Sequence, residues 1–397
     1  MINKIVVIGQ GYVGLPLAVA ACESGYQVNG VDNNIQKVMA LNLGISGIED
    51  LSNSKLKKVL SSGRYIATDQ VDVIKESDVI LVCVPTPLTN DRKPDLTYLL
   101  NAIESVAHNL KQGALIIIES TIEPGTTRSI VLPMIEKISG LSNDKFLLAF
   151  SPERIDPTNK NWGVKNTPKL VAGLTNSAQQ KAIEFYSKFI DTIVPCESLE
   201  IAETAKLLEN TFRLVNISFV NELAIFCQKL DIDINQVIKA AATKPYGFMP
   251  FYPSIGVGGH CIPVDPLYLA SKAREIGAPT RFIDLADQIN QERPDYFVGR
   301  AEEKLGGIKG KKVLVVGVSY KPNVADVRET PVEALILGLK QKGAQVVWHD
   351  DLVKEWIGDK SVALSSDFDL AIIATPHDYL DLTRLGNVPI LNTRGSI

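Results

Sequence analysis

The run Gly258-Gly259-His260-Cys261-Ile262-Pro263-Val264-Asp265-Pro266 has the make-up of a nucleophile loop. Two glycines let the backbone come close to a ligand, and two prolines stiffen the turn that carries the thiol. A helix is predicted to start near Pro266 (PLYLASKAREIG), and a thiol close to a helix N-terminus ionises more readily. Asp265 is placed to orient or activate water. Most cysteines are simply small buried thiols, but the density of Gly and Pro around Cys261 favours the reactive reading. His260 is expected to be structural or orienting. With four histidines and no Cys/His cluster, no metal is expected.

A second chemical feature is cationic and polar. Glu203, Lys206, Asn210 and Arg213 follow i, i+3, i+4 spacing and share one face of a predicted helix. Spacing alone fits either the wet side of an amphipathic helix or a ligand-facing row. The pair Glu153-Arg154, after a strand and Pro152, is equally open.

The third feature is Gly9-Gln10-Gly11-Tyr12-Val13-Gly14, which follows a strand and opens a helix. The glycines suit a tight turn, close approach to a pyrophosphate, and packing of helix on strand. The helix N-terminus adds N–H groups and partial positive charge. The next strand ends at Val31-Asp32, where a carboxylate can accept both ribose hydroxyls and would repel a 2′-phosphate. These residues predict a dinucleotide site for NAD rather than NADP. A later strand ends Gly317-Val318-Ser319-Tyr320-Lys321, without the second and third glycines. Lys321, followed by Asp326-Val327-Arg328-Glu329, fits either an anion-binding loop or a solvated one.

The elements that must carry these groups are legible as alternating patterns. KIVVIG, YQVNGVD, VILVCVP, ALIIIES and KFLLAF read as strands buried on both faces, with helices between them such as Leu15 to Ser24. From Lys311 the pattern resumes with KKVLVVG, AQVVWHD, LAIIAT and PILN. Leu199 to Leu230 is apolar-periodic and lacks Gly and Pro, which predicts one long helix. The expected fold class is α/β: two Rossmann-like, doubly wound parallel-sheet domains (residues 1–195 and 301–397) joined by a helical middle (196–300).

Composition sets the outer bounds. A chain of 397 residues, 45% hydrophobic and 22% charged, has the make-up of a multidomain globular protein. A net charge of −4 argues against nucleic acid or anionic membrane as a partner. The N-terminus does not read as a signal peptide, and no apolar stretch reaches spanning length. Five cysteines without a CxxC pair fit reduced thiols in a cytoplasm. The chain ends abruptly after LNTRGSI, which leaves open whether a short terminal element follows.

Taken together, VIGQGYVGLPLA, VPTPLT with KPDLTYL, ESTIEPGTT, SPER, AKLLENTFRLVNISFVNE, GVGGHCIPVDPLYL and SYKPNVADVRETP resemble the UDP-sugar 6-dehydrogenase family along essentially the whole chain. The resemblance implies oxidation of a sugar C6 alcohol to a carboxylate, with two NAD molecules used in turn. Cys261 would hold the intermediate as a thiohemiacetal and then a thioester. Lys206 and Asn210 resemble the pair that stabilises oxyanions and moves protons. Asp265 and Glu153 resemble the carboxylates supporting Cys261 and the hydrolytic water, and Thr121 the residue that places water near the nicotinamide. For NAD the pattern carries over to Gly9, Gly11, Tyr12, Val13, Gly14, Asp32, Lys37, Thr86, Thr121 and Arg328, with Lys37 where arginine is common. For the nucleotide sugar it carries over to Arg154, Ile155, Lys206, Asn210, Arg213, Tyr252, Gly258, Tyr320 and Lys321. The resemblance also implies a homodimer or higher homo-oligomer, with the long helix as the dimer contact.

Within that family, Pro157 and Val264 replace a Glu and a Lys typical of UDP-glucose enzymes. ATKPYGFMPFYP resembles the UDP-N-acetylglucosamine branch, whereas the UDP-N-acetylmannosamine branch tends to show His-Pro-Arg near Lys244-Pro245-Tyr246. Two departures stand out: Ser254-Ile255 breaks a usual Pro-Gly-Pro-Gly run, and Ile155 replaces an acidic residue. The competing readings are a single-hydride hydroxyacid-type dehydrogenase and a non-enzymatic NAD-binding protein. The first needs neither Cys261 nor a second sheet, and the second predicts a degraded cysteine loop.

Overall fold

A computed structural model describes residues 2–48, 51–156, 159 and 161–395. The chain packs as two compact units, Met1–Leu208 with Leu267–Ile276, and Glu209–Pro266 with Gly277–Ile397. The helical middle expected over 196–300 therefore contributes to both.

The first unit holds β1 (Lys4–Ile8), α1 (Gly14–Glu23), β2 (Gln27–Val31), α2 (Ile35–Asn42), α3 (Asn53–Ser61), β3 (Tyr65–Thr68), β4 (Val79–Val82), α4 (Thr97–His108), β5 (Leu115–Ile118), α5 (Leu132–Ser139), β6 (Leu147–Phe150), β7 (Lys169–Gly173), α6 (Asn176–Tyr186) and β8 (Ile193–Pro195). Among the described residues its strands form one eight-stranded sheet in the order β3-β2-β1-β4-β5-β6-β7-β8. The reversal of strand order between β1 and β4 is the switch point of a doubly wound sheet. The apolar runs are continuous because each strand feeds two cores. Ile5, Val7, Val79, Leu81, Leu115 and Ile117 point into one, while Val6, Ile8, Ile80, Val82, Ile116 and Ile118 point into the other. One feature departs from the all-parallel expectation. β7 runs antiparallel to β6, with Ala149 opposite Gly173 and Phe150 opposite Ala172. Strands β3, β7 and β8 had no clear apolar signal; Ile66 in β3, for example, is exposed.

Between the sheets, α7 (Leu199–Lys229) is the predicted long helix, followed by α8 (Ile234–Ala241), α9 (Asp265–Glu275) and α10 (Arg281–Leu305). The second unit then adds β9 (Lys312–Val316), α11 (Val332–Gln341), β10 (Gln345–His349), the short hairpin β11 (Glu355–Trp356) and β12 (Asp359–Lys360), β13 (Leu370–Ile373) and β14 (Ile390–Asn392). Its main sheet is parallel, in the order β10-β9-β13-β14. Val313 and Val315 pack toward α11 and Phe297 of α10, and Leu314 and Val316 pack toward Leu385 and Val388. No helix among the described residues is long and apolar enough to cross a membrane.

Candidate active site

In parallel sheets the loops at the carboxyl ends of the strands face ligands, and the first unit places its expected site residues there. Gly9 follows β1 with φ +90°, and a Cβ on it would sit 2.6 Å from the Cys83 carbonyl oxygen. A Cβ on Gly14 would lie 1.9 Å from the Gly9 carbonyl oxygen, so only glycine lets α1 start against β1. A Cβ on Gly11 would meet nothing within 4 Å; that side of the turn is open to a ligand. The first turn of α1 has no side-chain cap, which leaves its N–H groups available to a phosphate. Asp32, just past β2 and only 7% exposed, accepts N–H bonds from Gln10 (2.9 Å) and Asn34 (3.0 Å). Lys37 Nζ lies 2.9 Å from its Oδ2. The residues fit NAD: an open glycine, an uncapped helix and a fixed carboxylate at the ribose position. Lys37 partners Asp32 rather than standing apart from it.

Thr86, Thr121 and Glu153 follow β4, β5 and β6 at the same edge of the sheet. Tyr12, Val13 and Ile155 line one cavity together with Pro16, Trp162 and Phe189. Pro157 lies outside the described residues. Arg154 donates from Nη1 to the Pro168 carbonyl at 2.8 Å. Glu153 Oε1 accepts the N–H groups of Arg154 (2.7 Å) and Ile155 (2.8 Å). Burial works to raise the Glu153 pKa, but Lys169, these two N–H groups and Lys206 outweigh it and hold the carboxyl below its ordinary range.

The face shared by Glu203, Lys206 and Asn210 is not a wet one, since all three are buried. Glu203 turns to the segment after β5, where it accepts from Gly125 N (2.6 Å), Thr127 N (3.1 Å) and Thr127 Oγ1 (2.6 Å). It is a clamp for that segment. Arg213, two turns beyond Lys206 on α7, is exposed, as is Tyr252.

The second unit assembles the thiol. Asn210 Nδ2 donates to Asp265 Oδ2 at 2.6 Å, and the Asp265 N–H donates to the Cys261 carbonyl at 2.8 Å. Asp265 is the first residue of α9, so Cys261 sits on the turn that enters that helix, as expected. Of the five cysteines, Cys261 alone is exposed. Burial pushes Cys22 up to about 12 and Cys83 well above the ordinary thiol value. His260 is held below its ordinary range by burial first and by Arg328 second, so it is a neutral neighbour of the thiol. The cysteine loop is wedged against the loop after β9, with the Gly259 N–H donating to the Arg328 carbonyl at 3.0 Å. Tyr320 and Lys321 lie half-buried on that loop. The Arg328 guanidinium is taken up by Asp326, with both Nε–oxygen distances at 3.0 Å.

The second sheet also explains its missing fingerprint. Asp350 stands after β10 as Asp32 stands after β2, yet its oxygens are fully engaged. They accept from Val318 N (2.9 Å), Leu352 N (2.9 Å), Val353 N (3.0 Å) and His377 Nε2 (3.1 Å). His377 Nδ1 accepts the Asn323 N–H, so the ring is the tautomer that donates to Asp350. Burial opposes ionisation there, but His377 and the three N–H groups hold Asp350 at about 2. This carboxylate is committed to the protein and has no capacity left for a ribose.

A dinucleotide site on one sheet, an exposed thiol on a second unit and a glycine-poor second sheet are the features of an NAD-dependent dehydrogenase. Models of the UDP-glucose/GDP-mannose dehydrogenase family match as NAD binding domain over residues 3–190, central domain over 200–292 and UDP binding domain over 314–393. The chain is 35% identical to a UDP-N-acetyl-D-glucosamine 6-dehydrogenase of Salmonella typhi, covering 94% of this chain and 90% of the relative. It is also 35% identical to a UDP-N-acetyl-D-mannosamine dehydrogenase of Pyrococcus horikoshii, covering 94% and 89%. A solved structure of the latter enzyme type from P. horikoshii superposes with TM-score 0.90 at 32% identity, covering 98% of this chain and 95% of that one. The chain belongs to the UDP-glucose/GDP-mannose dehydrogenase family and is an NAD-dependent UDP-sugar dehydrogenase.

Proposed function

We propose that the chain oxidises the C6 hydroxyl of a UDP-N-acetylhexosamine to the carboxylate, with UDP-N-acetylglucosamine the preferred substrate, in the cytoplasm and for surface polysaccharide or glycan precursors. The observation that carries this reading is the exposed Cys261 tied through Asp265 to Asn210. Residues 1–195 serve NAD, 196–300 the chemistry and 301–397 the UDP moiety. Tyr320 and Lys321 bind that moiety, and Arg154, Ile155, Arg213, Tyr252 and Gly258 complete the substrate site. NAD, when bound, accepts a hydride in each of the two oxidations; Tyr12, Val13, Asp32, Lys37, Thr86, Thr121 and Arg328 hold it.

The protein's own groups do the rest. Lys206 and Asn210 stabilise the negative charge that develops on the C6 oxygen. The Cys261 thiolate bonds to the aldehyde carbon and keeps the half-oxidised sugar from leaving as a thiohemiacetal, which becomes a thioester after the second oxidation. Glu153 takes the proton of the hydrolytic water, with Thr121 and Asp265 ordering the groups around it. UDP-N-acetylglucosamine is favoured by ATKPYGFMPFYP, and by Pro157 and Val264 where UDP-glucose enzymes carry Glu and Lys. The test is NADH counting against UDP-GlcNAc, UDP-GalNAc, UDP-ManNAc and UDP-glucose. Two NADH per sugar, fastest with UDP-GlcNAc, is the expected result; one NADH per sugar would end the thioester reading.

The chain also acts as a homodimer through α7. Ile201, Leu208, Phe212, Phe219 and Phe226 recur at intervals of four and seven along the helix and are each 44–60% exposed, an apolar stripe that water disfavours. Phe219→Glu combined with Phe226→Glu is expected to give a slower-sedimenting species that still binds NAD. An unchanged sedimentation coefficient would remove the stripe from the interface.

A further inference from the structure

The buried charge cluster behind Glu153 is used by neither the cofactor site nor the thiol. Lys169, the first residue of β7, has a side chain only 6% exposed, and its Nζ lies 2.5 Å from Glu119 Oε2 and 3.4 Å from Glu153 Oε2. Glu119 follows β5 with a fully buried side chain, and its other oxygen accepts the hydroxyl of Tyr186 from α6. The order Tyr186–Glu119–Lys169–Glu153 therefore runs through the interior of the first unit. It ends on the one carboxylate of the four groups that opens toward the ligand edge of the sheet.

Buried ion clusters cost desolvation and seldom repay it in stability alone. Two carboxylates share one ammonium here, so the shared charge is divided between them. The antiparallel entry of β7 is what brings Lys169 between the ends of β5 and β6. We infer that Lys169, fixed by Glu119 and Tyr186, is a positioning residue for the hydrolytic half-reaction, holding Glu153 ionised and aimed at the water that releases the acid. This rests on the role given to Glu153 above. In that step the water oxygen bonds to the thioester carbon and its proton passes to Glu153. The C–S bond then breaks with its electron pair on the Cys261 sulfur.

The groups facing Glu153 decide the sign of the pH dependence. They are Lys169 on β7, Glu119 beyond β5, Lys206 on α7 and, further back, Tyr186 on α6 and Cys83 beyond β4. Burial pushes Glu119 up to about 7 against the pull of Lys169. Removing the ammonium takes away the largest influence holding Glu153 ionised, so its pKa rises and hydrolysis needs a higher pH. At the low pH where Glu153 titrates, Glu119 is already protonated, so removing its carboxyl leaves the Glu153 limb in place. Loss of the ammonium alone must move the profile.

The experiment compares three variants of the full chain, with folding checked by circular dichroism. Lys169→Met with Glu119→Gln removes the ion pair as a unit and spares the fold an orphaned charge. At pH 7 it is expected to form two NADH rapidly, accumulate a covalent sugar adduct on Cys261 by intact mass, and release acid at least about tenfold more slowly. The slowing follows because a raised Glu153 pKa leaves less of the carboxyl ionised at pH 7. Acid release should recover as the pH is raised. Glu119→Gln alone, which keeps the ammonium, should leave the acidic limb in place. A folded double variant with no adduct and an unshifted profile, or a loss equal at every pH, overturns the inference. If the double variant does not fold, Lys169→Gln takes its place, and an unshifted limb there overturns the inference. Glu153→Gln tests the underlying reading separately: it must accumulate the adduct at all pH values, and its failure to do so removes Glu153 without bearing on Lys169.

Discussion

Cys261→Ser is expected to abolish acid formation, by at least about 10³-fold, while NAD affinity stays within about twofold of the parent. The serine hydroxyl is nearly isosteric, and its site is exposed, so folding stability should change by less than about 0.5 kcal/mol. What changes is nucleophilicity. A hydroxyl at neutral pH has no counterpart to the thiolate fraction that a turn leading into a helix N-terminus favours, and an alkoxide is a poor leaving group in the hydrolytic step. None of the other thiols can substitute, because Cys22, Cys83, Cys196 and Cys227 are buried in the cores. Product analysis by anion-exchange chromatography, alongside NAD titration, checks both halves. Acid release at the parent rate would remove Cys261 from the mechanism.

The contrast between Cys261 and its surroundings shows what sequence patterns carry. Gly9, Gly14, Asp32 and Cys261 were legible because each does its work within a few residues, through turn geometry and a helix start that local composition encodes. The long helix was legible as well, since 3.6-residue periodicity needs no partner to be seen. The orientation of its polar face was not. Glu203 and Arg213 belong to one row by spacing, yet Glu203 is fully buried on Thr127 and Gly125, while Arg213 is in solvent. Only tertiary packing separates them. The Lys169 cluster escaped entirely. Its members sit 50 and 16 residues apart in sequence and meet because β7 reverses direction, a choice that a short segment such as KLVAG does not encode. Asp350 was overlooked for a related reason. An acidic residue at a strand end looks the same whether it faces a ribose or, as here, three backbone N–H groups and His377.

That reliance on tertiary fit makes Gly258→Ala the second large effect. The backbone at Gly258 is pressed against the loop after β9, where an added Cβ would lie 2.7 Å from the Glu329 carbonyl oxygen, 2.8 Å from Tyr320 Cβ and 3.1 Å from Pro331 Cδ. Two of these three are rigid, one being backbone and one a proline ring. Retreat in the other direction is blocked as well, because Asn290 grips both sides of Val257, accepting its N–H at 2.6 Å and donating to its carbonyl at 3.2 Å. Beyond the glycines, Cys261 is anchored by the Asp265 N–H. A methyl group must therefore drive the cysteine loop and the Tyr320 loop apart, and the displacement falls on the segment between two fixed points, which carries the nucleophile. Overpacking of this kind costs about 1–3 kcal/mol, and a misplacement of about 1 Å at a reacting group costs on the order of 10²-fold in rate. The expected result is a kcat lowered by about that factor, a melting temperature a few degrees lower, and Cys261 reacting with iodoacetamide at an altered rate. Gly299→Ala on α10 is the matched control, because its Cβ would meet nothing within 4 Å and kcat should not move. If Gly258→Ala turned over like the parent, the cysteine loop would have to be free to shift away from Tyr320 and Glu329. The placement of Cys261 would then owe nothing to that contact, only to Asp265 and α9.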